Sequence, residues 1–288
     1  IVISSETYVH GHINYPSNFL LTFLKKSFNA KTILQHHALD ILQYDTGTKI
    51  PFLKAIQNYI INNHFASSNP FIDAHIVVSS KVKEKLLKID SSLTGKTIVC
   101  FNGVDTTKFF EKKIKVPSTY FKIGCVANFW KLKDHMTLLR AVKILSDKGL
   151  KNVKIQFVGE GPTLNACKKF AFKHHIDCDF TIQKNHTELI NFYNDIDLFV
   201  LPSYYEAFGC VYLESLACGT PFVAVKGQGI EDTIDEKFKH IQLIDKKNDK
   251  QLSKIIEHFY TDKTKIPFNA NFEINHIISK MLYKIELL

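Results

Sequence analysis

Arginine is nearly absent from this chain of 288 residues: Arg140 is the only one, and lysine supplies almost all of the net charge of +9. Direct reading of nucleic-acid bases leans on arginine, and these lysines are scattered rather than striped, so nucleic-acid binding is the weaker option and no nucleic-acid partner is expected. No uninterrupted apolar run approaches the length that a transmembrane helix needs. The six cysteines (Cys100, Cys125, Cys167, Cys178, Cys210 and Cys218) form no C-x-x-C pair and no dense framework. Most occupy apolar strand or helix positions, the pattern of reduced thiols in a cytoplasmic protein. No signal peptide is visible. The first residue is Ile1, in mid-pattern, not methionine. The expectation is that an N-terminal piece precedes it and carries any targeting signal. The third glycine of a G-x-G-x-x-G turn is also lacking. Gly159-Glu160-Gly161 is followed by Leu164 at that place, which argues against a nicotinamide cofactor.

Apolar residues make up 45% of the chain, enough for a sizeable core, so wholesale disorder is excluded. The length suits one large or two ordinary domains. The lysine excess would draw the protein to anionic small molecules, or to peripheral contact with the inner, anionic face of a membrane.

Strand and helix patterns alternate along the chain. In the first part, helical spacing covers Tyr15–Phe28 and strands are expected at Lys31–Gln35, Ala74–Val78 and Thr97–Phe101, with helices over 49–65 and near 80–88. That is fewer strands than a full doubly wound domain carries. The polar turn Asn102-Gly103-Val104-Asp105 makes a boundary. A fresh series then begins: strands at Lys122–Ala127, Val153–Val158, Phe180–Ile182, Leu198–Leu201, Phe222–Val225 and Ile241–Ile244, each with a helix beside it. Such alternation predicts an α/β class with a parallel sheet covered on both faces. The expected division is a partial domain over 1–103, a complete one over 104–270, and a last amphipathic helix within 271–288.

The densest chemistry lies in residues 198–226, LFVLPSYYEAFGCVYLESLACGTPFVAVK. A short strand ends at Pro202-Ser203, a loop carries Glu206, Gly209 opens a helix, Gly219 closes it and Pro221 starts the next strand. Phe208, Gly209, Cys210 and Val211 therefore stand at a helix N-terminus, where backbone N–H groups and the macrodipole favour an anion. Glu206 and Glu214 flank that site as hydrogen-bond acceptors. Isolated glutamates usually sit on solvated faces; the P-S-x-x-E-A-F-G-x-x-x-L-E-x-x-A-x-G-x-P frame outweighs that reading. Asp195-Ile196-Asp197 resembles a metal-binding D-x-D, but it precedes the strand at Leu198 and so lies at the opposite sheet edge. His10 and His12 lack a third metal ligand, and no metal site is expected.

Glu206, seven residues, Glu214 resembles the E-x7-E signature of retaining glycosyltransferases, in particular glycosyltransferase family 4. Four further segments resemble landmarks of that family. They are His10-Gly11-His12 with Tyr15-Pro16-Ser17, His37-Ala38-Leu39-Asp40, Asn102-Gly103-Val104-Asp105, and Val126-Ala127-Asn128-Phe129 with Lys133 following. The resemblance implies a GT-B fold, two Rossmann-like domains facing across a cleft, the first incomplete here and the last helix crossing back to it. It implies a nucleotide diphosphate sugar as donor, no further cofactor and no metal, and a glycan or lipid-linked hydroxyl acceptor. Donor contacts fall on Asn128, Lys133, Phe208, Gly209, Cys210, Val211 and Glu214, and catalytic roles on Glu206 and His37. Asn128 stands where the family has arginine, so Lys133 must supply most of the charge. Rivals are a phosphorylase or epimerase using the same cleft, and a non-catalytic nucleotide-sugar-binding or scaffold protein of the same fold.

Overall fold

The computed structural model describes residues 4–12, 16–38, 59, 63, 65–112, 118–182 and 185–287. Tyr15, Leu39, Asp40 and most of the helix expected over 49–65 lie outside the described residues. The chain divides into two compact units. Unit 1 comprises residues 1–102 and 277–288, and unit 2 comprises 103–276.

Unit 1 carries four strands among its described residues: β1 (Tyr8–His12), β2 (Lys31–His36), β3 (Ala74–Val77) and β4 (Thr97–Val99). They pair in parallel in the order β1-β2-β3-β4. Helix α1 (Ser17–Phe28) follows β1 and buries Leu21 and Leu24. It stops where Asn29 turns left-handed and donates its N–H to the Lys25 carbonyl. Helix α2 (Ser80–Ile89) starts on a Ser79 cap that accepts from the Val82 N–H. Strand β1 is absent from the sequence expectation. Its half-exposed residues carry no clean alternation, and pairing with β2 alone makes it a strand. Gly11 has a packing reason: a Cβ there would come within 3.0 Å of Leu21 and Ser17 on α1.

Two buried histidines fill the middle of this sheet. His36 and His75, on adjacent strands, face each other with Nε2 and Nδ1 3.0 Å apart and rings stacked at 5.3 Å. Phe65 stands edge-on to both.

Unit 2 holds six parallel strands among its described residues: β5 (Phe121–Val126), β6 (Val153–Val158), β7 (Cys178–Thr181), β8 (Leu198–Val200), β9 (Phe222–Val225) and β10 (Leu243–Ile244). Their order is β10-β9-β8-β5-β6-β7. Helices α3 (His135–Asp147), α4 (Leu164–Lys173), α5 (His186–Asp195) and α6 (Cys210–Ala217) alternate with them. The short α7 (Lys239–Gln242) precedes β10, and α8 (Asp249–Asp262) and α9 (Ile274–Glu286) follow it. Strands β8 and β9 are buried at every position, as expected for parallel strands covered on both faces. Gly124 in β5 admits the helix side: a Cβ there would lie 2.4 Å from Ile196. The strand expected from Ile241 begins two residues later. Ile241 and Gln242 complete α7, and only Leu243 and Ile244 pair with β9.

Burial, with His75 as a like-charged neighbour, lowers the His36 pKa to about 3, and burial lowers His75 to about 4. In the unfolded chain histidine titrates near 6.5. Below that pH the unfolded state binds more protons than the folded one, so folding weakens. The stability tied to this pair is complete above pH 6.5 and is lost as pH falls toward 4 and below. Thermal unfolding should shift to lower temperature between pH 7.5 and 5, and His36→Leu with His75→Leu should flatten that dependence. A melting temperature independent of pH in the parent protein would contradict this account.

Candidate functional site

The strand order of unit 2 reverses direction between β5 and β8. β6 and β7 lie on one side of β5, and β8, β9 and β10 on the other. Loops leaving the C-terminal ends of β5 and β8 therefore diverge, and open parallel sheets form their ligand crevice at such a point. The loop after β5 carries Asn128 and Lys133. The loop after β8 carries Glu206, Phe208 and Gly209.

The first loop is clamped by backbone. Ala127 N–H donates to the Val158 carbonyl at 3.0 Å and Phe129 N–H to the Glu160 carbonyl at 2.7 Å. The Phe129 carbonyl accepts from both the N–H and the hydroxyl of Thr163. Gly159 and Gly161 make this approach possible: both have positive φ, and a Cβ on Gly159 would stand 2.1 Å from the Ala127 carbonyl oxygen. The two glycines thus hold the β5 loop. Phe129 is buried and stacks on His135 at 3.9 Å, with Phe157 and Phe180 completing the cluster. Burial lowers the His135 pKa to about 4, so this ring is neutral at neutral pH. Asn128 is exposed beside it.

The second loop is tied to the first and to the turn after β9. Tyr204 N–H and the Ser203 hydroxyl both donate to the Leu132 carbonyl. Glu206 N–H donates to Gln228 Oε1 at 2.7 Å, and Gly229 N–H returns to the Glu206 carbonyl. These ties bring two side chains together. Lys133 Nζ lies 2.6 Å from Glu206 Oε1, with the side chains 23% and 12% exposed. Both charges are thus largely withdrawn from water and each is compensated by the other.

Helix α6 begins beside this pair. Gly209 has φ +87, and a Cβ there would strike the Tyr212 ring at 2.6 Å, so glycine is required on both conformational and steric grounds. No side chain caps the helix, and first-turn N–H groups are those a helix cannot bond internally. Phe208 is buried, Cys210 exposed and Val211 half-buried. Within the helix, Glu214 accepts from the hydroxyl of Tyr193 at 2.9 Å. Burial, then the Glu214 charge, drives the Tyr193 pKa well above its ordinary value, so the phenol stays a donor.

The remaining sequence candidates belong to other elements. His37 belongs to unit 1, where its Nε2 is 2.8 Å from His12 Nδ1. Asp195 and Asp197 of the D-x-D hold Lys122 at the start of β5, by its ammonium and its backbone N–H. Sequence reasoning missed Ser203, Gln228 and Tyr193. Gln228 had a signal, a polar residue between Gly227 and Gly229 directly after a strand. Tyr193 had none, since its partner Glu214 lies 21 residues away.

Breaking the ion pair one side at a time should expose its energetics. Lys133→Met and Glu206→Gln should each cost about 1–3 kcal/mol, because each leaves the other group unsatisfied. The double variant should cost less than the sum, as partners in one cycle do. Denaturant unfolding of the four proteins measures this, and strict additivity would mean the two charges do not interact.

A model of the family described as glycosyl transferases group 1 matches residues 106–276. An uncharacterised glycosyltransferase of Methanocaldococcus jannaschii is 25% identical over 264 residues, covering 89% of this chain and 67% of that protein. The capsular polysaccharide biosynthesis glycosyltransferase CapM of Staphylococcus aureus is 29% identical over 171 residues, 55% of this chain and 45% of CapM. The chain thus spans 67% and 45% of the lengths of these two curated relatives. Among solved structures, HepE of Anabaena, in complex with UDP and glucose, superposes with a TM-score of 0.77 at 16% identity, over 98% of this chain and 78% of that one. That likeness shows a GT-B fold. With the family model covering most of the chain and all of unit 2 from residue 106, this protein belongs to the glycosyl transferases group 1 family.

Proposed function

We propose that this chain acts in a retaining, metal-independent glycosyltransferase that moves a hexose from a nucleotide diphosphate sugar to a hydroxyl acceptor. The observation that carries this is the Lys133–Glu206 ion pair, 2.6 Å across the crevice where the strand order reverses, beside the uncapped start of α6. A cation, a helix terminus and two carboxylates on neighbouring loops suit a diphosphate bearing a polyhydroxylated sugar. Support comes from the family match and from HepE, a protein of the same fold whose solved complex contains UDP and glucose.

In this reading the donor diphosphate takes Lys133 from Glu206 and accepts from the α6 backbone at Gly209, Cys210 and Val211, with Asn128 at its side. Glu206, released from the pair, meets the transferred hexose. The positive groups that hold the diphosphate also stabilise the charge that develops as it leaves. Glu214, held by Tyr193, accepts from ribose hydroxyls. The acceptor is a glycan or a lipid-linked precursor. The charge of +9 supports its capture at an anionic membrane face. A specific observation keeps the non-catalytic alternative in view: Asn128 puts no charge beside Lys133.

The two glutamates should fail differently. Glu214→Ala removes a contact made equally in ground and transition states, so donor KM should rise with kcat little changed. Glu206→Ala acts where charge develops, so kcat should fall. Each effect should be roughly ten- to a hundredfold, from the usual strength of hydrogen bonds to charged groups. The assay is nucleotide release from a panel of nucleotide sugars, with the complete polypeptide. Unaltered kinetics in both variants would return these residues to a structural role, and no nucleotide release by the parent from any donor would favour the non-catalytic alternative.

Chelation provides a separate test. EDTA should leave donor binding and turnover unchanged, since Lys133 and a helix terminus are assigned the phosphate charge. Activity lost to EDTA and restored by manganese would refute the metal-independent mechanism.

A further inference from the structure

The C-terminal ends of β1 and β2 bring His10, His12 and His37 to one face of the unit 1 sheet. Residues two apart on a strand share a face. His10 and His12 therefore lie on the same side of β1, and the register sets them beside Ile33 and Gln35 of β2. His37 continues that alternation, whereas His36 turns to the opposite face and meets His75. His12 is the last residue of β1 and His37 follows β2 directly. Both are exposed, at the edge where open parallel sheets receive ligands.

The three rings touch. His12 Nδ1 lies 2.8 Å from His37 Nε2, with the ring planes within 12° and the centroids 5.1 Å apart. Parallel rings with nitrogens this close meet edge to edge, in a hydrogen bond. Between two neutral imidazoles that bond holds one proton: one nitrogen donates and the other accepts. His12 is itself held in place. Its carbonyl accepts from the Ser17 hydroxyl at 2.6 Å, and His10, half-buried and hydrogen-bonded with Gln35, stacks on its ring at 4.5 Å. Burial, then the charge of His12, lowers the His10 pKa, so this ring supports the pair without adding a cation. The nitrogens bond one another and do not converge on a common point; among the described residues no such group could hold a metal ion.

We infer that His12 is a positioning residue: its Nδ1 fixes the orientation and the tautomer of His37, which meets a sugar hydroxyl through its own Nδ1. An exposed imidazole without such a tie turns about its side-chain bonds and exchanges tautomers. With Nε2 committed to His12, the ring cannot turn without breaking the bond, and the role of the second nitrogen is set by the first. If His12 donates, His37 Nδ1 carries the proton and donates to the hydroxyl; if His12 accepts, His37 Nδ1 accepts. A bond between two exposed rings contributes little to folding. Its value lies in placement, because a reacting group displaced by about 1 Å can cost about a hundredfold in rate. The inference rests on the glycosyltransferase reading above, in which His37 has a catalytic role.

The test is nucleotide release from a panel of nucleotide sugars by the complete polypeptide, compared among the parent, His12→Leu, His12→Asn, His37→Ala and the double variant His12→Leu with His37→Ala. Asparagine carries an amide atom close to the place of the imidazole Nδ1 and keeps the bond; leucine fills the space without it. His12→Leu should lower kcat about ten- to a hundredfold, with donor KM little changed and the melting temperature near that of the parent. His12→Asn should restore most of the loss, and His12→Leu should cost nothing more in the His37→Ala background. Nitrogen NMR of the histidine rings should show a single tautomer at His37 in the parent and an averaged one in His12→Leu. Unaltered kcat in His12→Leu would overturn the inference. So would an equal loss in the His37→Ala background, or an asparagine variant as impaired as the leucine one. Should His12→Leu fail to fold, the asparagine variant and the parent spectrum decide, and averaged tautomers at His37 in the parent overturn the inference. A parent that releases no nucleotide from any donor would instead defeat the glycosyltransferase reading, while the spectra still decide whether His12 holds His37.

Discussion

Lys133 and Glu206 form an ion pair that neither loop could sustain alone. A carboxylate and an ammonium this far removed from water are each costly unless the other is present. The pair exists because β5 and β8 are neighbours while their following helices depart in different directions. The charge on each side of the crevice is thereby balanced at rest. Under the proposed function, a donor diphosphate would not have to dehydrate a free lysine; it would exchange one carboxylate partner for a phosphate.

The surrounding contacts serve that geometry. The Leu132 carbonyl receives Tyr204 and Ser203, and so fixes the distance between the loops. Gln228 and Gly229 hold both backbone groups of Glu206. Further out, Gly159 and Gly161 let two backbones meet where side chains would forbid it. These are neutral hydrogen bonds and close contacts. They set positions without adding charge to the crevice, which leaves Lys133 and Glu206 as its paired charges.

Elsewhere the interior avoids charge. Burial keeps His36, His75 and His135 neutral near pH 7. Cys167 is pushed up to about 11, and Cys178 and Cys218 to about 12, by burial above all. All six cysteines are free thiols, four of them buried, Cys178 half-buried and Cys210 exposed. The D-x-D follows the same economy: its two carboxylates hold Lys122 at the sheet edge remote from the crevice.

Sequence by itself determined the elements whose signals are local. Phe222–Val225 is a continuous apolar run, buried throughout, and Val153–Val158 alternates apolar with polar residues before ending apolar. The bounds of α6 follow from Gly209 and Gly219, both at positive φ. The frame around Glu206 and Glu214 was legible for the same reason, since strand, loop and helix follow one another within it. Only the tertiary structure decided the rest. β1 is a strand because β2 lies beside it, and β10 is short because α7 claims Ile241 and Gln242. That Lys133 meets Glu206, that Tyr193 holds Glu214, and that Gly159 serves the loop after β5 depend on pairing between distant segments. No local periodicity records such contacts, because the order of strands across the sheet sets them and the order along the chain does not.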